Sequence, residues 1–164
     1  MKTEFLLAGA AIAASAVLSF PSLSAAQTAK DMTNVYTCRN TGADLQPLGD
    51  REGPPGQGHW LMISGLSCHI DSGPLAGGVA TGSGTWELNG PASKELAFSF
   101  VVRKPGATVV VHGTDGKMDG PAVGSGRFDY VLATGDWAAL VGKSETWALK
   151  GTGPWEWTVE GKVQ

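Results

Sequence analysis

The sequence predicts an all-β protein, a small antiparallel barrel of about eight strands, with a β-sandwich as the alternative. Three observations predict it. The segment Ala80-Thr-Gly-Ser-Gly-Thr-Trp-Glu-Leu88 recurs as Ala122-Val-Gly-Ser-Gly-Arg-Phe-Asp-Tyr130, with the residue classes in the same order, which marks one strand type used twice. Turn signals divide the chain about every 8–12 residues. The composition holds 24 glycines and six tryptophans, and at 16% charged residues it is poorer in charge than the roughly 25% of an average soluble chain. The glycines choose between barrel and sandwich. Gly82 and Gly84, like Gly124 and Gly126, stand two apart and so on one face of their strand. A strand without side chains on one face bends toward that face, which closes a barrel.

The elements follow in order. Met1-Lys-Thr-Glu4 is a short charged start, Phe5 to Phe20 is apolar, and Ser24-Ala25-Ala26 offers the small side chains a signal peptidase reads. Residues 1–26 are predicted to be a cleavable signal peptide, since the apolar run is shorter than the ~20 residues a spanning helix needs. Residues 27–164 then form a single barrel domain, exported to the periplasm or the medium, with no integral membrane segment after cleavage. The net charge of −3 and the scattered basic residues disfavour nucleic acid as a partner.

Asn34 to Arg39 reads as a first short strand and Asn40 to Gly58 as a long loop, because Asn-Thr-Gly, Gln-Pro-Leu-Gly-Asp and Gly-Pro-Pro-Gly-Gln-Gly succeed one another. A loop of that length in a compact domain usually covers or binds something. His59 to Ile70 is a strand with Trp60, Met62, Leu66, Cys68 and Ile70 on one face, ended by the turn Asp71-Ser-Gly-Pro74. The first copy of the repeat ends at the hairpin signal Asn89-Gly90. Glu95 to Arg103 alternates, with Leu96, Phe98, Phe100 and Val102 on the apolar face and Glu95 opposite. Lys104-Pro-Gly106 turns the chain into Thr108–His112, and Asp115-Gly116 signals a further turn within 113–120. The second copy runs into Val131-Leu132, placing Phe128, Tyr130 and Leu132 on one face. Trp137 to Val141 suits a helical turn, Thr146 to Leu149 a strand, and Trp155 to Val163 a half-buried strand of period two.

Cys38 and Cys68 are the two cysteines, and an even pair in an exported chain predicts a disulfide. Neither lies in a C-x-x-C pair, and the adjacent Cys68 and His69 would point to opposite faces of a strand.

Gly124-Ser-Gly126-Arg-Phe128, followed by Ala133-Thr-Gly135, resembles the strand signature G-x-G-x-F…(A/R)-x-G of the allene oxide cyclase-like and dirigent-like barrels. The resemblance implies a small eight-stranded antiparallel barrel that binds an apolar substrate inside and steers cyclisation or coupling. Its match covers about a dozen residues, and no pocket residue of those families can be carried over. The 40–58 loop and the cysteine pair are not part of that pattern.

Chemical motifs are sparse. Gly65-Leu-Ser-Cys-His69 begins like a nucleophile elbow and ends in histidine, and neither Gly-Ser-Gly has the third glycine of a dinucleotide loop. His59, His69 and His112 lack metal-ligand spacing, so no metal and no cofactor is predicted. Glu87, Asp129 and His112 are the polar candidates that can be placed on strands, and the two acids, next to inward aromatics, should face outward. Aromatics remain the strongest binding signal: Trp60, Phe98, Phe100, Phe128, Tyr130 and Trp157 are candidates to line a cavity for a small apolar ligand, or else to fill the core. Three classes stay open: a non-catalytic binder of an apolar molecule, a cyclase- or isomerase-like enzyme, and a partner-binding module using the 40–58 loop.

Overall fold

The computed structural model describes residues 32–120 and 122–164; the segment expected to be a signal peptide, residues 1–26, lies outside them. Eight strands succeed one another: β1 (Thr33–Pro47), β2 (His59–Ser72), β3 (Val79–Asn89), β4 (Ala92–Lys104), β5 (Ala107–Asp119), β6 (Val123–Ala133), β7 (Ser144–Gly153) and β8 (Glu156–Val163). Each pairs antiparallel with the next, and β8 pairs with β1, so the sheet closes into a barrel and is not a sandwich. A 3-10 turn at Gly135–Leu140 joins β6 to β7, where a helical turn was expected.

The repeated glycines face inward and lie under large side chains of the adjacent strand. A Cβ on Gly84 would come within 2.5 Å of the Phe98 ring, and one on Gly126 within 2.5 Å of the Trp147 ring. On Gly82 it would overlap the Ser99 carbonyl and Phe100. Bare backbone on one strand is therefore where the neighbouring strand lays an aromatic, which lets a narrow barrel hold so many rings.

Four sequence expectations change. First, β1 continues to Pro47, paired with β2 from Gly42↔Gly65 to Pro47↔Trp60, so the loop is 48–58 and not 40–58. The Asn-Thr-Gly signal makes a bulge inside the strand, with Asn40 Oδ1 accepting from the Gly42 amide at 2.7 Å. Second, Asp115-Gly116 is not a turn between strands. It is an irregularity within β5, where Asp115 takes φ 58°. Third, the β3–β4 register shifts at Leu96, which flips the parity of β4: Leu96 is 51% exposed, and Glu95 turns in with Ser93. Fourth, a shift between Val110 and Val111 does the same to the end of β6, leaving Leu132 48% exposed while Phe128 and Tyr130 stay buried.

The two barrel ends differ. At one end the 73–78 turn inserts Leu75 and the 3-10 turn inserts Trp137 and Leu140, all buried. Trp137 Nε1 donates to the Pro74 carbonyl at 3.0 Å, binding these two plugs together, and Lys104 Nζ sits 4.7 Å from the Trp137 ring. Behind them Ile70, Val102, Val109 and Val111 are fully buried. The disulfide Cys38–Cys68 links directly opposed residues of β1 and β2 in this filled core, with Cα atoms 4.0 Å apart. The other end, bearing the 48–58 loop and the β7–β8 turn, is open.

Candidate functional site

Inward residues at the open end form an apolar cup of about 110 Å³. Its floor is a run of rings. Phe98 stacks on Phe128 with centroids 6.0 Å apart, and Phe128 on Trp147 at 5.4 Å, while Phe100 meets Phe128 edge-on from below at 4.9 Å. Its walls are Met62, Ser64 and Leu66 from β2, Trp86 from β3, Met118 from β5, Leu149 from β7 and Trp157 from β8. Asn40, Ser64 and Ser93 are the polar residues along the lining, and Trp155, 58% exposed in the β7–β8 turn, stands at its edge. Such a surface removes an apolar group from water and offers few polar anchors, the general character of a small-ligand site.

Three of the six candidate aromatics, Phe98, Phe128 and Trp157, line the cup. Phe100 lies beneath the floor, in the core. Tyr130 belongs to the plugged end, and Trp60 leans away toward the loop, donating from Nε1 to the Gly53 carbonyl at 3.0 Å. Trp86, Trp147, Met62, Met118 and Leu149 were not among the candidates. For the first two the repeat itself carried a signal: Trp86 follows Gly84 on the inward face, and Ser144-x-Thr-Trp147-x-Leu149 echoes Ser83-x-Thr-Trp86-x-Leu88.

Among the described residues two carboxyl groups face into the barrel. Glu145 on β7 is 0% exposed, and its Oε2 accepts from Asn34 Nδ2 at 2.7 Å, from the Tyr36 hydroxyl at 2.9 Å and from the Tyr130 hydroxyl. Asn34 Oδ1 in turn accepts from the Leu75 amide at 2.9 Å, which ties the cluster to the plug. Burial pushes the Glu145 carboxyl up and its three donors pull the other way; burial and the adjacent Glu145 charge raise both phenols, which stay protonated as donors. The cluster fastens β1, β6 and β7 across the core.

Glu95 is the other. It is 9% exposed, where β4 and β5 lose pairing between Lys94↔Lys117 and Phe98↔Gly113. Its carboxyl lies against Gly113 and Gly116, whose missing side chains make room for it. Burial, with Asp115 adding repulsion, raises its pKa to about 7. Oε2 has no hydrogen-bond partner.

Of the polar candidates on the outer face, Asp129 and Glu87 have local partners. Asp129 pairs with Arg127 at 2.8 Å, His112 is exposed, and His69 sits 3.8 Å from Asp71. Among the described residues no group of three or more His, Cys, Asp or Glu side chains is placed to hold a metal ion. His59 bridges two carboxylates, Nδ1 at 2.6 Å from Asp50 and Nε2 at 2.9 Å from Glu87, so both ring nitrogens donate when it is an imidazolium. These partners raise the His59 pKa, and His59 lowers that of Asp50. The bridge pins the 48–58 loop to β2 and β3, with Arg51 Nη1 donating to Asn89 Oδ1 at 3.1 Å as a second tie. Because the folded His59 pKa is raised, its contribution is full below the free-histidine range and lost as pH rises through the raised value. Tryptic cleavage after Arg51, normalised to an unstructured peptide at each pH, is therefore expected to be slow near pH ~6 and faster near pH ~9. His59→Ala should be cut rapidly at both. Equal rates for native protein at the two pH values would refute the latch.

Fold and cup together define a small closed antiparallel β-barrel with one plugged end and one apolar, open end. A scan against protein-family models gives no match to this chain, and a search of curated proteins gives none.

Proposed function

We propose that the protein is an exported barrel that holds a small apolar molecule in its open cup. The observation that carries this reading is the 110 Å³ space left between the ring floor and the rim, in a barrel whose other half is filled. The cup is smaller than a closed cavity of about 150 Å³ that holds benzene, but it is open at the rim, so a ring-sized apolar group can seat partly within it. The predicted signal peptide and the Cys38–Cys68 disulfide support export into an oxidising compartment. No helix among the described residues is long and apolar enough to cross a membrane.

Toluene titrated into the protein is expected to shift its NMR methyl and indole resonances at the cup. Leu149→Trp, which fills the space from β7, is expected to weaken binding at least about tenfold while the fold persists. Native mass spectrometry of protein from its own host should show a retained small mass. Absence of both toluene binding and a retained mass would exclude the reading.

A second reading is a cyclase- or isomerase-like enzyme, for which the resemblance to allene oxide cyclase-like and dirigent-like barrels and the inward carboxyl of Glu95 speak. The third, a partner-binding loop, would use residues 48–58, which the His59 bridge holds in place.

A further inference from the structure

The turn between β7 and β8 departs from its counterpart at the other end of the barrel. Lys104-Pro105-Gly106-Ala107 and Gly153-Pro154-Trp155-Glu156 are both two-residue hairpins whose flanking residues pair across the strands. In each, proline comes first and the next residue takes a left-handed backbone, φ 79° at Gly106 and φ 63° at Trp155. Proline followed by a positive φ is the pattern of a type II turn, whose second central position favours glycine. Among the described residues Trp155 and Asp115 are the two non-glycines with positive φ. A bulky side chain in that region costs stability that glycine would not, and such outliers gather at ligand sites.

No partner for the ring offsets this cost. Trp155 is 58% exposed, and among the described residues its indole has neither a ring contact nor a hydrogen bond from Nε1. Elsewhere the tryptophans are engaged: Trp60 and Trp137 donate from Nε1 to carbonyls, while Trp86 and Trp147 meet the Phe98 and Phe128 rings. The place of Trp155 is nevertheless fixed. Its carbonyl accepts from the Asn40 amide at 2.9 Å, and both residues line the cup. The twin turn lies at the plugged end, where Lys104 reaches the Trp137 ring, and there the same position is glycine. The bulky residue thus stands where the barrel is open.

The cup, at about 110 Å³, is smaller than the closed cavity of about 150 Å³ that holds benzene, so whatever seats on its ring floor emerges at the mouth. We infer that the molecule held in the cup is elongated and apolar, with a ring-sized group on the floor and a second, flat part that leaves the mouth and stacks on Trp155. An indole offers a broad flat face, and a planar apolar continuation gains more from it than a charged one. Ligand contact then gives the left-handed tryptophan its use, at some expense to the stability of the free protein. The inference rests on the cup reading above and adds the length and shape of the molecule.

Toluene and 4-methylbiphenyl share a tolyl end and differ by one flat ring, so NMR titration of the protein with each tests the extension. The native protein is expected to bind 4-methylbiphenyl about tenfold or more tighter than toluene. Trp155→Gly, which gives the turn the residue of its twin, should weaken 4-methylbiphenyl about fivefold or more and change toluene less than about twofold. Trp155→Phe, which keeps a ring in the same turn, should recover most of the loss. The urea midpoint of Trp155→Gly should stay at or above the native one, because glycine removes the left-handed penalty. A lowered midpoint with both probes weakened alike would make the ring part of the barrel's packing and overturn the inference. So would 4-methylbiphenyl binding no tighter than toluene, or keeping its advantage in Trp155→Gly, and either result would leave the apolar cup intact. Binding of neither probe would overturn the cup reading as well.

Discussion

Gly161→Ala is expected to destabilise the protein by about 3–5 kcal/mol, the range for breaking a buried polar cluster. A Cβ at this position on β8 would occupy the space of the Glu145 carboxyl. Glu145 is fully buried and has no solvent to swing into, so its Oε2 is forced off the point where Asn34, Tyr36 and Tyr130 converge. Three donors then lose their acceptor. Glu145→Ala alone removes the same acceptor, leaving Asn34 Nδ2 its longer bond to the Tyr130 hydroxyl at 3.2 Å, and should cost about 3 kcal/mol or more. The double variant is the decisive case: with Glu145 gone, the added methyl has room, and Gly161→Ala should cost about 1 kcal/mol or less, a strongly non-additive cycle. Urea unfolding of the four proteins measures it. Simple additivity, or a Gly161→Ala loss under about 1 kcal/mol, would mean that the glycine is not there to seat the carboxyl.

Removing the disulfide is the second large effect. Cys38→Ala with Cys68→Ala is expected to lower stability by about 3–4 kcal/mol, since the bridge closes a loop with a sequence separation of 30 residues in the unfolded chain. That loop includes the 48–58 segment, which contributes backbone freedom on unfolding and few buried apolar contacts in return. Both cysteines are buried in the core, so alanine adds a small packing loss. The expected readout is a lower urea midpoint for the variant, matched by the native protein under reducing conditions. An unchanged midpoint would contradict a stabilising role. Against a typical domain stability of about 5–15 kcal/mol, either loss is a large fraction.

Most strands were legible because a half-buried strand imposes period two on its residues, and Trp157, Val159, Gly161 and Val163 keep that period without interruption. Turns were legible where the chain needs special backbone: Gly90 and Gly106 both take positive φ in the tight connections β3–β4 and β4–β5. The errors fall at bulges. Asn40-Thr-Gly42 and Asp115-Gly116 have turn composition, yet strand pairing continues beyond each, because a bulge uses the same residues as a turn. At Leu96 composition misled in the other direction. Leu96, Phe98, Phe100 and Val102 alternate cleanly, and only the register with β3 reveals that one extra residue sits in the row.

The site was legible in part. Phe98, Phe128 and Trp157 were recognisable as inward rings from alternation alone. Glu95 and Glu145 were not, since an acid in an alternating strand reads as solvent-facing until its neighbours are known. Glu145 faces inward because Gly161 leaves space and two tyrosines and an asparagine from other strands supply donors.

By itself the sequence determined the local and periodic features: the all-β class, the inward glycine row that favours closure, the cysteine pair and the aromatic-rich interior. Those follow from backbone geometry and from side chains a few residues apart. The tertiary structure decided which half of the barrel is filled, where the two carboxyls point and where an apolar space remains. These depend on cross-strand register, in which a shift of one residue sends a side chain from solvent to core.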